Sequence, residues 1–369
     1  MTNNEPIFQA FQLGELELSH RLVMAPLTRN RAEADGTPSD LMVEYYTQRA
    51  GAGFIIAEAA TPNRVGQTYP NIPGLYSESQ VAGWRRVTAS VRAAGGRMFV
   101  QIQHGGRVGH PDNSGLTPVA PSPIRLPEDI HTPSGRQESV LPRELDRDGI
   151  ESTIADFVNA ARNARAAGFE GVEIHSANGH LLHQFLSNNT NHRTDEYGGS
   201  IENRIRFTLE VVDAVAAAIG PERVGVRLSP DGRANGIEED DTEALYPVLV
   251  AALAERGLAY LHLVFAEPES ALFQQIRALW PGVLMANPRL GWGVPLPEDG
   301  GKAAAEALLA AGADLISLGR AFIANPDLVR RLRLGAALNP VRDSHFMYVG
   351  GPEGYTDYPA LDDERADAA

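Results

Sequence analysis

Residues 171–187, GVEIHSANGHLLHQFLS, join a run of strand length to a cluster of polar side chains. The run from Gly171 to Ala177 contains His175, and two further histidines, His180 and His183, follow it. Continuous hydrophobicity, rather than alternation of apolar and polar residues, is typical of strands that are covered on both faces, as in parallel sheets. The stretch therefore predicts a buried parallel strand that ends at a polar site.

Seven further runs of this kind recur along the chain, and they begin at Leu22, Phe54, Met98, Val224, Tyr260, Val283 and Leu315. Stretches of helical period lie between them, such as residues 79–95, 154–168 and 301–312, and several of these end in glycine, as helices commonly do. Eight alternating strand and helix units predict an α/β fold of the (β/α)8 TIM-barrel type.

One long connection interrupts this alternation. Residues 105–147 are rich in Pro, Gly and Ser and show no helical period, so we expect a capping loop region after the third strand. We expect a single domain over residues 1–369, with the chain docked as far as Tyr358 and a disordered acidic tail at 360–369.

Composition excludes several classes of function. The formal net charge of −15 lacks the basic footprint of a nucleic-acid-binding protein. Because the chain has no cysteine, disulfides, thiolate nucleophiles and cysteine-ligated metals are excluded. The polar N-terminal stretch has no secretory signal, and no apolar run reaches the length of a membrane span, so we expect a cytoplasmic protein without a membrane partner.

Polar residues accumulate where the predicted strands end, which is where TIM barrels hold their active sites. These residues are Thr28, Gln101, Gln103, His175, Asn178, Arg227, Asn287, Gly319 and Arg320. In TIM barrels a phosphate group commonly binds at the ends of the seventh and eighth strands. Here Gly319 permits close approach of the backbone to a phosphate, and Arg320 can bind a phosphate with two hydrogen bonds. A phosphorylated ligand is therefore predicted, and the alternative is that Arg320 pairs with a carboxylate on a neighbouring helix.

His175 and Asn178 are three residues apart and can converge on one point if the chain turns helically after the strand. Two neutral donors aimed at one oxygen polarise a carbonyl and stabilise an enolate. The alternative is a purely structural histidine. A metal site built from His175, His180, His183 and His192 is not expected, because the stretch contains no HExxH pattern and no cysteine completes a familiar ligand set.

Dispersed motifs make the chain resemble the old yellow enzyme family of flavin-dependent ene-reductases over nearly its whole length. They include MAPLTRNR (24–31), VQIQHGGR (100–107), HSANG (175–179), NHRTDEYGGSIENRIRF (191–207), FIANPDL (322–328) and GYTDYP (354–359). The resemblance implies an FMN-binding barrel that takes hydride from NADPH or NADH and delivers it to the β-carbon of an activated alkene. No GxGxxG follows a strand, so the nicotinamide and the substrate would use the same face in turn.

The resemblance also implies roles for individual residues. His175 and Asn178 match the pair that holds the substrate carbonyl and the nicotinamide, and Tyr348 matches a tyrosine of the substrate pocket. The implied flavin contacts are Pro26, Leu27 and Thr28 against the ring, Ala59 and Gln101 on the pyrimidine side, Arg227 at the N1/O2 edge, and Asn287, Gly319 and Arg320 at the phosphate.

Two positions depart from the family pattern. His180 stands where the family usually has the tyrosine that protonates the α-carbon, so either an imidazolium at His180 or water is expected to supply the proton. Gln103 stands where relatives often carry tryptophan or another apolar residue, which predicts a larger and more polar pocket. The segment 287–301 is also longer and richer in Pro and Gly than a simple loop, which weakens the assignment of Asn287.

Three other functions remain open at this point. The first is reduction of nitro compounds or nitrate esters, the second is a non-catalytic flavin-binding redox sensor, and the third is a flavin-free lyase or isomerase. The expected partner is a small-molecule activated alkene, and we expect the chain to form a monomer or a homodimer.

Overall fold

Eight parallel strands close into a barrel in the computed structural model, which describes residues 5–291, 294–343 and 345–361. We label these strands β1 to β8: Leu22–Met24, Ile55–Ala60, Met98–Ile102, Gly171–Ser176, Val224–Leu228, Tyr260–Ala266, Leu284–Pro288 and Leu315–Leu318. Each strand pairs with its neighbours in chain order, and β8 closes the barrel against β1. The predicted TIM-barrel fold is confirmed.

Eight helices follow the strands around the barrel. We label them α1 to α8: Asp40–Gln48, Glu78–Ala93, Arg147–Ala166, Ile201–Ile219, Thr242–Ala254, Ala271–Leu279, Lys302–Ala310 and Leu328–Leu334. Short helices at Leu181–Leu186, Arg320–Ala324 and His345–Tyr348 lie outside this set. No helix among the described residues is long and apolar enough to cross a membrane.

The third helix begins earlier than the sequence predicted. Periodicity indicated a helix from residue 154, whereas α3 begins at Arg147. The reason is a cap at Asp146, whose Oδ1 accepts a hydrogen bond from the backbone N–H of Gly149 at 2.8 Å.

The connection over 105–147 is more regular than its composition suggested. It contains a short helix at Pro111–Ser114, a hairpin of Ile130–Thr132 with Gly135–Gln137, and a two-residue parallel pairing of Val119–Ala120 with Arg143–Glu144. These short elements were not predicted from the composition of the segment. Arg107 fixes the connection to the loop after β5 by donating to the carbonyl oxygens of Asn235 and Gly236.

Apolar side chains fill the lower part of the barrel interior. One cluster joins side chains on or next to six strands: Val23, Phe54, Ile56, Phe99, Tyr260, Met285 and Leu315. Leu13 and Leu18 belong to the same cluster and come from the N-terminal hairpin, in which Phe11–Leu13 pairs with Leu16–Leu18. A larger cluster lies between the barrel and its helices. With the lower end filled in this way, a ligand can enter only at the carboxyl ends of the strands.

The chain is docked through Tyr358, whose hydroxyl accepts a hydrogen bond from the backbone N–H of Arg342. Of the predicted disordered tail at 360–369, only Ala360 and Leu361 lie within the described residues. The backbone N–H of Leu361 donates to Asp327 Oδ2 at 2.9 Å, so the chain is docked at this residue as well.

Candidate active site

Strands β4 and β5 place His175 and Arg227 side by side at the upper end of the barrel. The two residues are register partners, and their side chains are buried, with 2% and 6% of their surface exposed. Neither His175 Nδ1 nor Arg227 Nε has a hydrogen-bond partner. Since buried polar atoms in folded proteins are almost always paired, these two atoms can bind a molecule that enters the barrel mouth.

Asn178 adds a third unpaired atom to the same region. The chain turns directly after β4, and the Oδ1 atom of Asn178 is buried without a partner. The two residues that sequence analysis assigned to the substrate carbonyl thus lie on the last part of β4 and on the turn that follows it, each with an atom that has no hydrogen-bond partner.

Burial keeps the His175 ring neutral. Loss of solvent lowers the pKa of His175 well below its usual value, and the nearby His180 and Arg227 lower it further. A neutral imidazole carries one N–H, so His175 can donate a hydrogen bond without bringing a net charge into the site.

His180 begins the short helix Leu181–Leu186 and lies beside His175, with 4.9 Å between the ring centroids. Burial lowers the pKa of His180 to about 4. Its Nδ1 lies 3.3 Å from the carbonyl oxygen of Ala177, which can only accept, so Nδ1 carries the proton of the neutral ring. Nε2, which has no partner, is consequently an acceptor at neutral pH.

A buried polar layer separates this site from the apolar lower core. The carboxylate of Glu173, fully buried on β4, accepts hydrogen bonds at 2.8 Å from Gln101 Nε2 and from His262 Nδ1. His262 Nε2 in turn lies 2.7 Å from the hydroxyl of Ser317. These bonds outweigh burial and hold the pKa of Glu173 below its usual value, with help from the charge of Arg227.

This layer fixes the orientation of Gln101. Because the Glu173 carboxylate is an acceptor, the amide nitrogen of Gln101 must face it, and the amide oxygen is left to face the opposite side. Sequence analysis found Gln101 but missed Glu173 and His262. Their signal was present as ionisable residues with apolar residues on both sides, Glu173 in GVEI and His262 in YLHLV.

The remaining predicted residues of the first strands surround the same barrel opening. Pro26, Leu27 and Thr28 directly follow β1, and Ala59 lies buried on β2. Gln103 directly follows β3, and its Nε2 lies 3.4 Å from the hydroxyl of Thr68. The fold therefore gathers these positions at the carboxyl ends of adjacent strands.

The corner between β7 and β8 brings together Asn287, Gly319 and Arg320. Asn287 Nδ2 donates to the carbonyl oxygen of Ser317 at 2.7 Å. A Cβ at Gly319 would lie 3.1 Å from Leu27 Cδ2, so the Leu27 side chain packs closely over this glycine. Arg320 pairs with no carboxylate among the described residues. Its guanidinium donates instead to the carbonyl oxygens of Leu290, Gly291 and Val294.

Tyr348 is held near the site by two arginines that follow β1. Arg29 and Arg31 both donate to the carbonyl oxygen of Met347 at 2.9 Å, and Arg31 also donates to the carbonyl oxygens of Phe346 and Val349. The segment that carries Tyr348 is thereby fixed to the end of the first strand.

Tyr69 is a phenol that sequence analysis missed. Burial raises the pKa of Tyr69 to about 12, and the nearby Tyr348 and Glu128 act in the same direction. Tyr69 packs against the apolar cluster of Val108, Leu126 and Ile130. The only signal in the sequence was an aromatic residue in the Gly- and Pro-containing connection after the second strand.

The histidine-rich stretch does not form a ligand cluster in the structure. Across residues 5–291, 294–343 and 345–361, no three His, Asp or Glu side chains are arranged to hold a metal ion. His183 instead contacts Glu239, with 3.0 Å between Nε2 and Oε1.

Comparison with known proteins assigns the family. The sequence model of the NADH:flavin oxidoreductase / NADH oxidase family matches residues 6–339. The chain belongs to this family. The 12-oxophytodienoate reductase 1 of Oryza sativa subsp. japonica is 42% identical over 97% of this chain and 94% of that protein. A probable flavin mononucleotide-dependent alkene reductase of Leishmania infantum is 40% identical, over 95% of this chain and 96% of that protein.

Solved structures of this NADH:flavin oxidoreductase family agree with the fold. Morphinone reductase in complex with tetrahydroNAD shares 43% identity over 98% of this chain and 99% of its own, with a TM-score of 0.89. The old yellow enzyme homologue from Zymomonas mobilis shares 39% identity over 96% and 99%, with a TM-score of 0.90. The predicted resemblance to old yellow enzymes is confirmed.

Membership of the NADH:flavin oxidoreductase family decides among the functional classes left open above. The chain is an FMN-dependent oxidoreductase of the alkene reductase type. The flavin-free lyase and the non-catalytic sensor therefore lose their support. The unpaired buried atoms of His175, Asn178 and Arg227 fit a site that is completed by a bound cofactor and a substrate.

Proposed function

We propose that this chain reduces α,β-unsaturated carbonyl compounds at the expense of NADPH or NADH, with the substrate carbonyl held by His175 and Asn178. The observation that carries the proposal is His175 Nδ1, a buried nitrogen without a hydrogen-bond partner on β4, followed three residues later by the side-chain amide of Asn178. Nδ2 is the donor that this amide can offer to a carbonyl oxygen. A neutral His donor and an Asn amide suit a neutral carbonyl oxygen that gains negative charge during reduction.

The decisive test is anaerobic reoxidation of the NADPH-reduced protein by 2-cyclohexenone, followed by flavin absorbance. We expect complete reoxidation and a saturated ketone as the product. Failure of 2-cyclohexenone and of a maleimide to reoxidise the protein, despite bound flavin, would contradict the proposal.

We further propose that FMN lies across the upper end of the barrel. When bound there, FMN would supply the hydride-transfer chemistry between the nicotinamide and the alkene. Arg227 supplies a fixed positive charge at the ring edge, and the amide oxygen of Gln101, oriented by Glu173, accepts from the pyrimidine side. Pro26, Leu27, Thr28 and Ala59 would hold the ring, and Asn287, Gly319 and Arg320 would hold the phosphate.

Replacing Arg227 by methionine tests this placement. Methionine keeps much of the side-chain length but removes the buried cation, so we expect FMN to bind at least about tenfold more weakly. The dissociation constant is measured from FMN fluorescence on titration with apoprotein. Arg233→Met, an exposed position in the following loop, is the matched control, and an unchanged FMN affinity in Arg227→Met would place the cofactor elsewhere.

For the proton, we propose that water rather than the His180 ring is the donor. A ring with a pKa of about 4 is neutral in the physiological range, and its free nitrogen Nε2 is an acceptor. His180 can therefore hold and orient a water molecule, but it has no proton to give from Nε2. Of the two hypotheses for this position, the structure supports the one that uses water.

A pH series distinguishes the two sources of the proton. If the imidazolium donated, the reoxidation rate would fall as pH rises through the pKa of His180. We expect instead a rate constant that is flat from pH 5.5 to 9, and a His180→Phe variant within about tenfold of the parent. Stopped-flow reoxidation by 2-cyclohexenone measures both. A rate that falls tenfold for each pH unit would restore the imidazolium hypothesis.

The pocket itself is proposed to lie between Gln103, Tyr348 and Tyr69, with residues 105–147 as the cap of a single FMN-binding domain. Gln103 offers a polar amide in this wall, which favours substrates with a second polar group. We also propose that the chain acts in the cytoplasm on small molecules, as a monomer or a homodimer.

A second candidate function is reduction of nitro compounds or nitrate esters. The neutral ring of His180 favours it, because these acceptors need no carbon-protonating residue at the hydride step. Fast reoxidation by a nitroalkane or nitrate ester, together with slow reoxidation by 2-cyclohexenone at every pH, would select this alternative.

A further inference from the structure

The turn that carries Asn178 has an unusual backbone. Asn178 and Gly179 are both left-handed, with φ of 53° and 73°. A non-glycine residue adopts this conformation at a cost that the surrounding structure must offset. A Cβ at Gly179 would lie 2.5 Å from the carbonyl oxygen of Ala234, so the turn is pressed against the loop after β5.

Side chains satisfy all four backbone polar groups of this turn. The N–H of Asn178 donates to Ser229 Oγ at 2.8 Å, and its carbonyl oxygen accepts from Asn235 Nδ2 at 2.7 Å. The N–H of Gly179 donates to His183 Nδ1 at 3.0 Å, and its carbonyl oxygen accepts from Gln184 Nε2 at 2.7 Å. The backbone of Asn178 is therefore set by its neighbours and not by its own preference.

The contact with His183 depends on which ring nitrogen carries the proton. Because a backbone N–H donates to Nδ1, that nitrogen has a free lone pair and the proton is on Nε2. Nε2 lies 3.0 Å from Glu239 Oε1. Both side chains are buried, with 0% and 2% of their surface exposed, so the carboxylate fixes this tautomer and the ring orientation.

Glu239, in the loop before α5, is itself held in place by two residues of α5. Tyr246 donates its hydroxyl hydrogen to Glu239 Oε1 at 3.2 Å, and Thr242 Oγ1 lies 3.2 Å from Oε2. The polar chain therefore runs from α5 through Glu239 and His183 to the N–H next to Asn178.

From this geometry we propose that Glu239 and His183 are positioning residues, which hold the left-handed turn so that the Asn178 amide faces the substrate carbonyl. The inference rests on the proposed role of Asn178. Among the described residues, the hydrogen bond of His183 that lies nearest to the site goes to the Gly179 N–H, so the turn is the route by which this pair would act on Asn178.

Glu239→Gln tests the inference in the FMN-loaded protein. The amide is similar in shape but weaker as an acceptor for His183, so we expect the KM for 2-cyclohexenone to rise about tenfold, with unchanged FMN affinity. Glu238→Gln, an exposed neighbouring carboxylate, is the matched control and should leave KM unchanged. Tyr246→Phe removes one hydrogen bond to Glu239 and should raise KM by a smaller factor, which provides a second variant if Glu239→Gln does not fold.

A double-mutant cycle separates positioning from general stability. If Glu239 acts through Asn178, Glu239→Gln should have no further effect on KM in an Asn178→Ala background. Equal effects of Glu239→Gln in both backgrounds, or no effect in either, would overturn the positioning role. An unchanged KM in Asn178→Ala alone would instead overturn the proposed role of Asn178.

Discussion

Replacing His175 by alanine is expected to slow reoxidation of the reduced protein by 2-cyclohexenone about 100-fold or more. Loss of a donor aimed at a developing oxyanion in a water-poor site typically has an effect of this size. The expected rate loss is larger than for an exposed hydrogen bond because His175 is only 2% exposed. Water cannot easily replace the lost donor at a site that is buried to this degree. Single-turnover stopped-flow absorbance measures the rate at saturating substrate.

A matched histidine provides the control for this experiment. His192 belongs to the same histidine-rich region but is exposed, so His192→Ala should reoxidise at the parent rate. The FMN content of both variants must equal that of the parent, so that loss of cofactor is not mistaken for loss of catalysis. Parent-like reoxidation by the His175→Ala variant would remove this residue from the mechanism.

The second large effect concerns stability in mild acid. Burial lowers the pKa of His104 to about 3 and that of His180 to about 4, whereas the unfolded chain titrates at about 6.5. Below pH 6.5 the two histidines bind protons in the unfolded state but stay neutral in the folded state, so the free energy of unfolding falls as pH falls. Two such histidines make the free energy of unfolding drop by about 2 kcal/mol or more between pH 6 and pH 5.

Urea unfolding at several pH values, with FMN in excess, tests this prediction. The interval from pH 6 to 5 lies above the usual range of carboxyl groups, so histidines dominate the change. His180→Phe should reduce the slope by about one proton, whereas His192→Phe should leave it unaltered. Equal unfolding free energies at pH 6 and pH 5 would show that the buried rings accept protons in the folded state.

The histidines of residues 171–187 have three separate environments, although the sequence presents them as one cluster. His175 has a free, buried nitrogen beside Arg227. His180 keeps its proton on the nitrogen that faces Ala177. His183 uses both nitrogens within the protein, toward Gly179 and Glu239. Only the first is free to donate to a substrate, which is why we expect their substitution to have different effects.

Much of the architecture could be predicted because it follows from local pattern. Continuous apolar runs and intervening helical periods predicted all eight strands and their parallel order. The start of α3 was missed, because a single capping residue, Asp146, extends the helix beyond its periodic region. The short elements within 105–147 were missed because their stability comes from contacts with distant residues, such as Arg107 with Asn235.

The amino-acid sequence by itself determined the barrel fold, the absence of thiol chemistry and the positions at which polar side chains follow the strands. It could not determine the state of those side chains. That His180 is neutral, that Gln101 turns its oxygen away from Glu173, and that Arg320 binds loop carbonyls all depend on groups distant in sequence. Only the tertiary structure decided them, because desolvation and hydrogen-bond direction are properties of the surroundings that folding assembles.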